Sequence, residues 1–305
     1  EIVDKGLLEK DLALTTALVD MYAKCGALAK AQQVLEDLPI RDIISWNALV
    51  SGYANQGQAH EAFSCFKRMQ RDGFSPNVVT FTCILKACGC IRAIDKGKQI
   101  HDEIASTGLL DKDVVLGNAL VDMYTKCGSV IKAEEVLHEL RVRNVISWSI
   151  LIAGYAQQGQ GLEAMNCFEQ MKSEGFSPDA ITFVSLLNAC NHSGMMNEAE
   201  TYYGNMSKKY GIAPNLEHHT SMVIIYGFEG HFDKAMCVMK MMPSSSYPEV
   251  WLALLGACRK RGALKLGRMV FDQAIQLNDS CAAAYVLMAD IYAAFGKIEG
   301  AKEGN

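Results

Sequence analysis

Ala17-Leu-Val-Asp-Met-Tyr22 and Ala119-Leu-Val-Asp-Met-Tyr124 are the same six residues, 102 positions apart. Lys24-Cys25-Gly26 returns at the same interval as Lys126-Cys127-Gly128, and Ile44-Ser45-Trp46 as Ile146-Ser147-Trp148. Gly73-Phe-Ser-Pro76 returns as Gly175-Phe-Ser-Pro178. About half of the positions from Leu12 to Asn77 match those from Val114 to Asp179. A fixed period of this kind marks an array of stacked units in which neighbours bury one another's apolar faces.

The period divides into units of 31, 35 and 36 residues: 12–42, 43–77 and 78–113, then 114–144, 145–179 and 180–215. Each reads as two helices joined by a short turn. In the first, Leu14, Ala17, Leu18, Met21 and Tyr22 fall at helical spacing. Cys25-Gly26 then marks a stop, because glycine readily adopts the left-handed cap conformation. Leu28, Ala31, Val34 and Leu35 resume the periodicity. The 35-residue unit repeats the plan with Trp46, Leu49, Val50 and Tyr53, a break at Gln56-Gly57, then Ala62, Phe63, Phe66 and Met69, closing on Gly73 and Pro76. No stretch alternates like a strand. The expected fold is an all-α solenoid.

Half of the 305 residues are hydrophobic, enough for continuous packing between units, and no run of eighteen apolar residues occurs. Among the eleven cysteines, Cys25 and Cys127, Cys65 and Cys167, and Cys88 and Cys190 are related by the period. That recurrence reads as small buried packing residues in a reducing compartment. An odd cysteine count and the lack of any C-x-x-C weigh against disulfides and zinc. The net charge of −5 argues against indiscriminate affinity for phosphate, while leaving room for a locally basic groove. Lys24 and Lys126, late in equivalent first helices, are candidate phosphate contacts. They read equally well as solvated lysines at a helix C-terminus.

Unit lengths and wording together resemble the pentatricopeptide repeat (PPR) family, and more narrowly its plant PLS subclass of alternating P, long (L) and short (S) motifs. Gly117-Asn-Ala-Leu-Val-Asp-Met-Tyr-Thr-Lys-Cys-Gly128 resembles an S motif. Ile146-Ser-Trp148 with Gly154-Tyr-Ala156 and Gly175-Phe-Ser-Pro-Asp179 resembles a P motif, and Gly97-Lys-Gln-Ile-His101 an L motif. Phe183-Val-Ser-Leu-Leu-Asn-Ala-Cys190 with Tyr210-Gly-Ile212 resembles the terminal L type. Residues 216–247 resemble the terminal S motif. Trp251-Leu-Ala-Leu-Leu-Gly-Ala-Cys-Arg259 resembles the E1 motif (248–281), and Ala284-Tyr-Val-Leu-Met-Ala-Asp-Ile-Tyr292 a truncated E2 motif (282–305). Residues 1–11 repeat the wording of 103–113, so the chain is expected to open inside the second helix of an L motif.

The resemblance implies an α-solenoid, a right-handed superhelix of stacked helix-turn-helix repeats, that binds single-stranded RNA one base per motif. It implies that the fifth residue of a motif and its last residue read the base: Thr16 with Asp42, Asn47 with Asn77, Thr82 with Asp113, Asn118 with Asn144, and Ser149 with Asp179. By the family's code, Thr or Ser with Asp favours G and Asn with Asn favours a pyrimidine, C over U. The reading is then G, pyrimidine, weak G, pyrimidine, G, the third being weak because L motifs follow the code poorly. Second residues pack on base faces: Ile44, Val79, Val115 and Ile146, with Ala13 lacking the usual bulk. Val184 with Asn215 and Thr220 with Tyr247 are not coding pairs, and Glu217 departs from the aliphatic second position. The same residue types are also ordinary helix caps and turn formers. Trp46, Trp148 and Trp251 recur in frame as expected core between units.

Many PLS proteins end in a zinc deaminase, which needs an H-x-E and a distant C-x-x-C. His101-Asp102-Glu103 has no such companion and reads as a solvated helix face, so no catalytic residue, metal ligand or cofactor is expected in this chain. The resemblance implies positioning of an organellar transcript for C-to-U RNA editing. The deaminase or editing factor would be engaged through the E region, in a mitochondrion or chloroplast, the mitochondrion ahead. The alternatives are a protein–protein scaffold in an organellar ribonucleoprotein, and RNA binding for splicing or transcript stability. No membrane partner is expected.

Overall fold

Glycine and the helix cap set the local plan. After Lys24 the chain turns through Gly26 at φ +81°, and Ala27 N–H closes the turn on Tyr22 O at 2.9 Å. Gly128 repeats this at φ +80°. Only a residue without a Cβ takes this conformation cheaply. At the other end, the side chains of Asp42, Asn77, Asp179 and Asn215 each accept from the backbone N–H of the third helical residue, forming capping boxes.

The computed structural model describes residues 12–38, 41–242 and 248–303, with side chains described as far as 295. The expected opening fragment 1–11 and Tyr247 lie outside the described residues. Among the described residues are 17 α-helices and no strand. The first eight are α1 Leu12–Lys24, α2 Leu28–Asp37, α3 Ile43–Asn55, α4 Ala59–Arg71, α5 Val78–Cys90, α6 Ile94–Thr107, α7 Val114–Lys126 and α8 Val130–Glu139. A short 3-10 turn, Leu109–Asp111, joins α6 to α7. The rest are α9 Val145–Gln157, α10 Gly161–Ser173, α11 Ala180–Ser193, α12 Met196–Tyr210, α13 Leu216–Glu229, α14 Phe232–Met241, α15 Pro248–Arg261, α16 Leu264–Leu277 and α17 Ala282–Glu303. Odd-numbered helices are the first of each pair and even-numbered the second.

The fold is an all-α solenoid, and the chain divides into two compact units, one ending at Gly154 and the other starting at Tyr155. In the first, α1 packs on α3, α3 on α5 and α5 on α7, while α2, α4 and α6 each pack on their own partner and on the next first helix. In the second, α11, α13, α15 and α17 stack in the same order. First helices are apolar almost all round because they are covered by neighbours on several sides; second helices are amphipathic.

Trp46 and Trp148 are fully buried, which makes them core residues rather than stacking platforms. The Arg68 guanidinium lies 5.8 Å from the Trp46 ring centroid and also pairs with Glu36, tying α4 to α2. Truncating either tryptophan to Ala should cost about 3–5 kcal/mol. Gly52 sets how closely α3 approaches the first pair: a Cβ there would stand 2.8 Å from Leu28 Cδ2 and 2.9 Å from Ala23 Cβ. Gly154, one period later, would meet Thr125 Cγ2 at 2.6 Å. The second unit has its own core, built from Leu187, Met222, Val223, Leu254, Leu255, Val270 and Met288.

Two sequence expectations are corrected here. Cys65, Cys167, Cys88 and Cys190 are buried, and burial pushes the Cys88 and Cys190 thiols up to about 12. Cys25, however, is exposed and Cys127 only half-buried. Both follow the last residue of a helix, where the chain turns outward. Nor is the His101-x-Glu103 segment a solvated face. His101 packs edge-on against Tyr124, with Nδ1 2.9 Å from the tyrosine hydroxyl, and Glu103 accepts from Gln70 Nε2 at 2.8 Å. Both side chains are engaged in contacts between successive units.

Candidate nucleic-acid interface

From Asp42 to Asn215, the residue that ends a unit is also the N-cap of the next first helix. This follows from chain order: the cap precedes the helix, and the unit boundary falls at the cap. Its side-chain oxygen is therefore committed to the backbone. Asp42 Oδ1 accepts from Ser45 N–H at 2.8 Å, Asn144 Oδ1 from Ser147 N–H at 3.0 Å, and Asp179 Oδ1 from Thr182 N–H at 2.8 Å. Asp113 Oδ1 accepts from both Val115 and Leu116 N–H, at 2.9 and 3.0 Å. The cap reading of these residues and the base-reading expectation thus fall on the same side chains, and only atoms not spent on the cap are open to a ligand.

The two Asn–Asn pairs among those expected are joined directly. Asn47 Nδ2 donates to Asn77 Oδ1 at 3.1 Å, and Asn118 Nδ2 to Asn144 Oδ1 at 3.3 Å. The residues of each pair are 30 and 26 positions apart, so stacking of α3 on α5 and of α7 on the following unit brings them together. Thr82 and Asp113 are not joined: the Thr82 hydroxyl donates to Val78 O at 2.8 Å, one turn back on its own helix. Thr16 and Asp42 make no hydrogen bond, and the Thr16 hydroxyl oxygen is buried without a partner among the described residues. Ser149 is buried on α9, and Asp179 caps α11.

The expected second-position residues form the most distinctive surface feature of the first unit. Ile44, Val79, Val115 and Ile146 each begin a first helix, and each is between 51% and 62% exposed. Branched aliphatics this open, one per helix at the same place, lie beside the polar pairs and are not needed for the core. Sequence reading missed a fifth case. Ile181 in the second unit holds the same position on α11 and is 64% exposed. It sits two residues after Asp179, and that spacing alone could have found it.

The two expected phosphate contacts are already paired. Lys24 Nζ lies 2.7 Å from Asp20 and Lys126 Nζ 2.6 Å from Asp122, each one turn back. These exposed pairs add little stability, and each carboxylate offsets the charge its lysine could offer an anion. Lys86, which sequence reading passed over, is held instead by a neutral group, the Asn55 amide oxygen at 2.7 Å. Its full charge is available on the first-helix surface.

Sequence reading also missed the third residue of the unit. Ser45, Thr80, Ser147, Thr182 and His218 stand there and are all fully buried. Among the described residues no cluster of three or more His, Cys, Asp or Glu could hold a metal ion, and no helix is long and apolar enough to cross a membrane.

These features can be set beside known proteins. The PPR repeat family model matches residues 41–90 and 143–192, and a PPR repeat model matches 118–145, 181–210 and 217–247. Similar relatives from Arabidopsis thaliana include pentatricopeptide repeat-containing protein At2g03880, mitochondrial, 37% identical over 99% of this chain and 47% of that one. Another is pentatricopeptide repeat-containing protein CRR2, chloroplastic, 38% identical over 92% of this chain and 43% of that one. The chain thus spans less than half the length of these relatives. Among solved structures, the fold resembles the pentatricopeptide repeat protein PPR10 in complex with an 18-nt psaJ RNA element, with TM-score 0.80 and 20% identity over 99% of this chain and 45% of that one. It also resembles PPR10 from maize, with TM-score 0.72 and 20% identity over 95% of this chain and 42% of that one. With the family models covering more than half of its residues, the chain belongs to the pentatricopeptide repeat family.

Proposed function

We propose that this chain is a sequence-specific single-stranded RNA-binding array that positions an organellar transcript for C-to-U editing. The deaminase lies outside the chain or is supplied in trans through residues 248–305. The observation that carries the reading is the row of exposed aliphatics Ile44, Val79, Val115 and Ile146 beside polar pairs whose unspent atoms are hydrogen-bonding groups. An apolar side chain packs against a base face while a neighbouring amide or carboxylate addresses its edge, the combination that single-stranded recognition needs. Lys86, held by a neutral amide, supplies a cation on the same run of first helices, whereas Asp20 and Asp122 offset the charges of Lys24 and Lys126.

In this reading the units 12–42, 43–77 and 78–113 are S, P and L motifs, followed by S (114–144), P (145–179), terminal L (180–215), terminal S (216–247), E1 and E2. Relatives named mitochondrial and chloroplastic support an organellar location. The fold of an RNA-bound neighbour supports the substrate class. A second reading, a protein–protein scaffold within an organellar ribonucleoprotein, draws support from the net charge of −5 and from the exposed Met269, Tyr285, Val286 and Tyr292 on the last helices.

The test is binding of the chain to a short RNA carrying G-C-G-C-G in frame, against one with every G and C exchanged, at physiological salt. The reading expects a preference of about tenfold or more, about 1.4 kcal/mol. Equal affinity, or no binding, would transfer the weight to the scaffold.

A further inference from the structure

Why two fully buried hydroxyls, Thr80 and Ser147, should sit against the amide pairs follows from tracing the protons. The starting point is a backbone N–H, which can only donate. Thr80 N–H meets Asn77 Oδ1 at 3.1 Å, so the oxygen of the Asn77 amide points inward. Asn47, 3.1 Å from that oxygen, must approach it with Nδ2. The Asn47 oxygen is thereby turned to Thr80 Oγ1, which donates to it at 2.6 Å while accepting from Asn77 N–H at 3.1 Å. The same cycle recurs at the other pair. Ser147 N–H meets Asn144 Oδ1 at 3.0 Å, Asn118 Nδ2 meets the same oxygen at 3.3 Å, and Ser147 Oγ donates to Asn118 Oδ1 while accepting from Asn144 N–H at 3.1 Å. The first cycle joins a 35-residue unit to a 36-residue one, the second a 31-residue unit to a 35-residue one. They are therefore not copies of each other by the 102-residue period.

The cycle fixes which atoms remain. Asn77 Oδ1 and Asn144 Oδ1 are saturated from inside. Unspent are one hydrogen on Nδ2 of Asn47, both on Nδ2 of Asn77 and one lone pair on Asn47 Oδ1, and likewise for Asn118 and Asn144. The pair offers more donor hydrogens than acceptor lone pairs, so it favours a ligand that brings adjacent acceptors. Cytosine carries adjacent acceptors, N3 and O2, on its Watson–Crick edge; uracil places an N3–H donor between two carbonyls.

We infer that Thr80 and Ser147 are positioning residues that lock the Asn47 and Asn118 amides and so set a preference for cytosine over uracil at the second and fourth bases. This rests on the RNA-reading function proposed above. It adds a residue outside the reading pair, contributed by the next unit. Without the hydroxyl, only the Nδ2 contact with Asn77 Oδ1 or Asn144 Oδ1 restrains the Asn amide, which then has more freedom to turn its own Oδ1 toward the N3–H of uracil.

The test uses fluorescence anisotropy of the full chain with single-stranded RNA carrying G-C-G-C-G, and with the second or the fourth base changed to U. The wild type should favour C about tenfold at both positions. Thr80→Val should bring the second ratio to within about twofold of unity and leave the fourth unchanged, Ser147→Ala should do the reverse, and Thr80→Ser should restore the preference. Ser45→Ala removes a cap hydroxyl that bonds only within its own junction, to Asp42, and should leave both ratios intact. Wild-type ratios in Thr80→Val and Ser147→Ala, each with a cooperative thermal transition, would overturn the assignment. RNA binding with no C-over-U preference in the wild type would overturn it too, while leaving RNA binding itself in place. No binding to any of these RNAs would sink the underlying function.

Discussion

Asn47 with Asn77 and Thr82 with Asp113 occupy the same places in adjacent units, yet only the first pair is built as one object. The difference lies in the unit that follows. After Asn77 the third residue is Thr80, whose hydroxyl reaches back 33 positions to Asn47. After Asp113 it is Leu116, fully buried and without a donor. With no partner across the junction, the Thr82 hydroxyl turns to Val78 O, and Asp113 spends one oxygen on two backbone N–H groups. A pair tied across the junction presents one hydrogen-bonding pattern, whereas an untied pair can present several. The third base, where the resemblance implies a weak preference, falls on such an untied pair, as does the first at Thr16 and Asp42. The last junction of this kind varies the theme again: His218 Nε2 donates to Ala180 O at 2.9 Å, on the preceding first helix but away from its fifth residue.

The largest effect should come from rewriting a tied pair. Asn118→Thr combined with Asn144→Asp should switch the fourth base from C to G, a swing of about 100-fold in relative affinity, since each bidentate contact discriminates by about 1–3 kcal/mol. The same anisotropy series would show an unchanged preference if the pair does not read. Next in size is the scaffold beneath Asn47. Gly52→Ala places a methyl group against Leu28 and Ala23 and should lower stability by about 1–3 kcal/mol in urea unfolding. It should also erode discrimination at the second base before the fourth. Unchanged stability would mean the α3 contact is looser than its geometry.

Acid should weaken the stack through two His–Tyr contacts between successive helices. His101 faces the Tyr124 hydroxyl at 2.9 Å, and His219 faces that of Tyr203 at 2.7 Å. Burial holds both imidazoles below the ordinary histidine value of 6.5. The unfolded chain therefore binds more protons than the folded one just below pH 6.5, and the stability these rings contribute is present above that pH and lost as it falls. Thermal midpoints should decline from pH 7 toward 5.5, and less steeply in a His101→Gln, His219→Gln double variant. A flat wild-type profile would dismiss the linkage. The smallest effect is expected at the untied pair: Thr82→Val should alter preference at the third base by less than about twofold, because its hydroxyl already serves Val78. A tenfold change there would erase the distinction between tied and untied pairs.

Much of the candidate interface is legible in the amino-acid order once the family resemblance is read with it. The caps Asp42, Asn77 and Asp179 follow from residue type and position at a helix start, whereas Ile44, Ile146, Asn47 and Asn118 were singled out as candidates by the family resemblance. Ile181 was equally legible by position. The exposure of Cys25 and the packing of His101 on Tyr124 were not, because each depends on what the next pair lays against it.

The period, the helix pairs, their glycine stops and their polar caps are determined by the sequence alone. They rest on interactions within about five residues, where backbone geometry and residue type suffice. Which hydroxyl bonds to which amide, that Lys86 meets the Asn55 amide, and how closely α3 may approach α1 were decided only by tertiary structure. Those contacts join residues 24 to 33 positions apart, and only the stacking of one pair on the next brings them within reach.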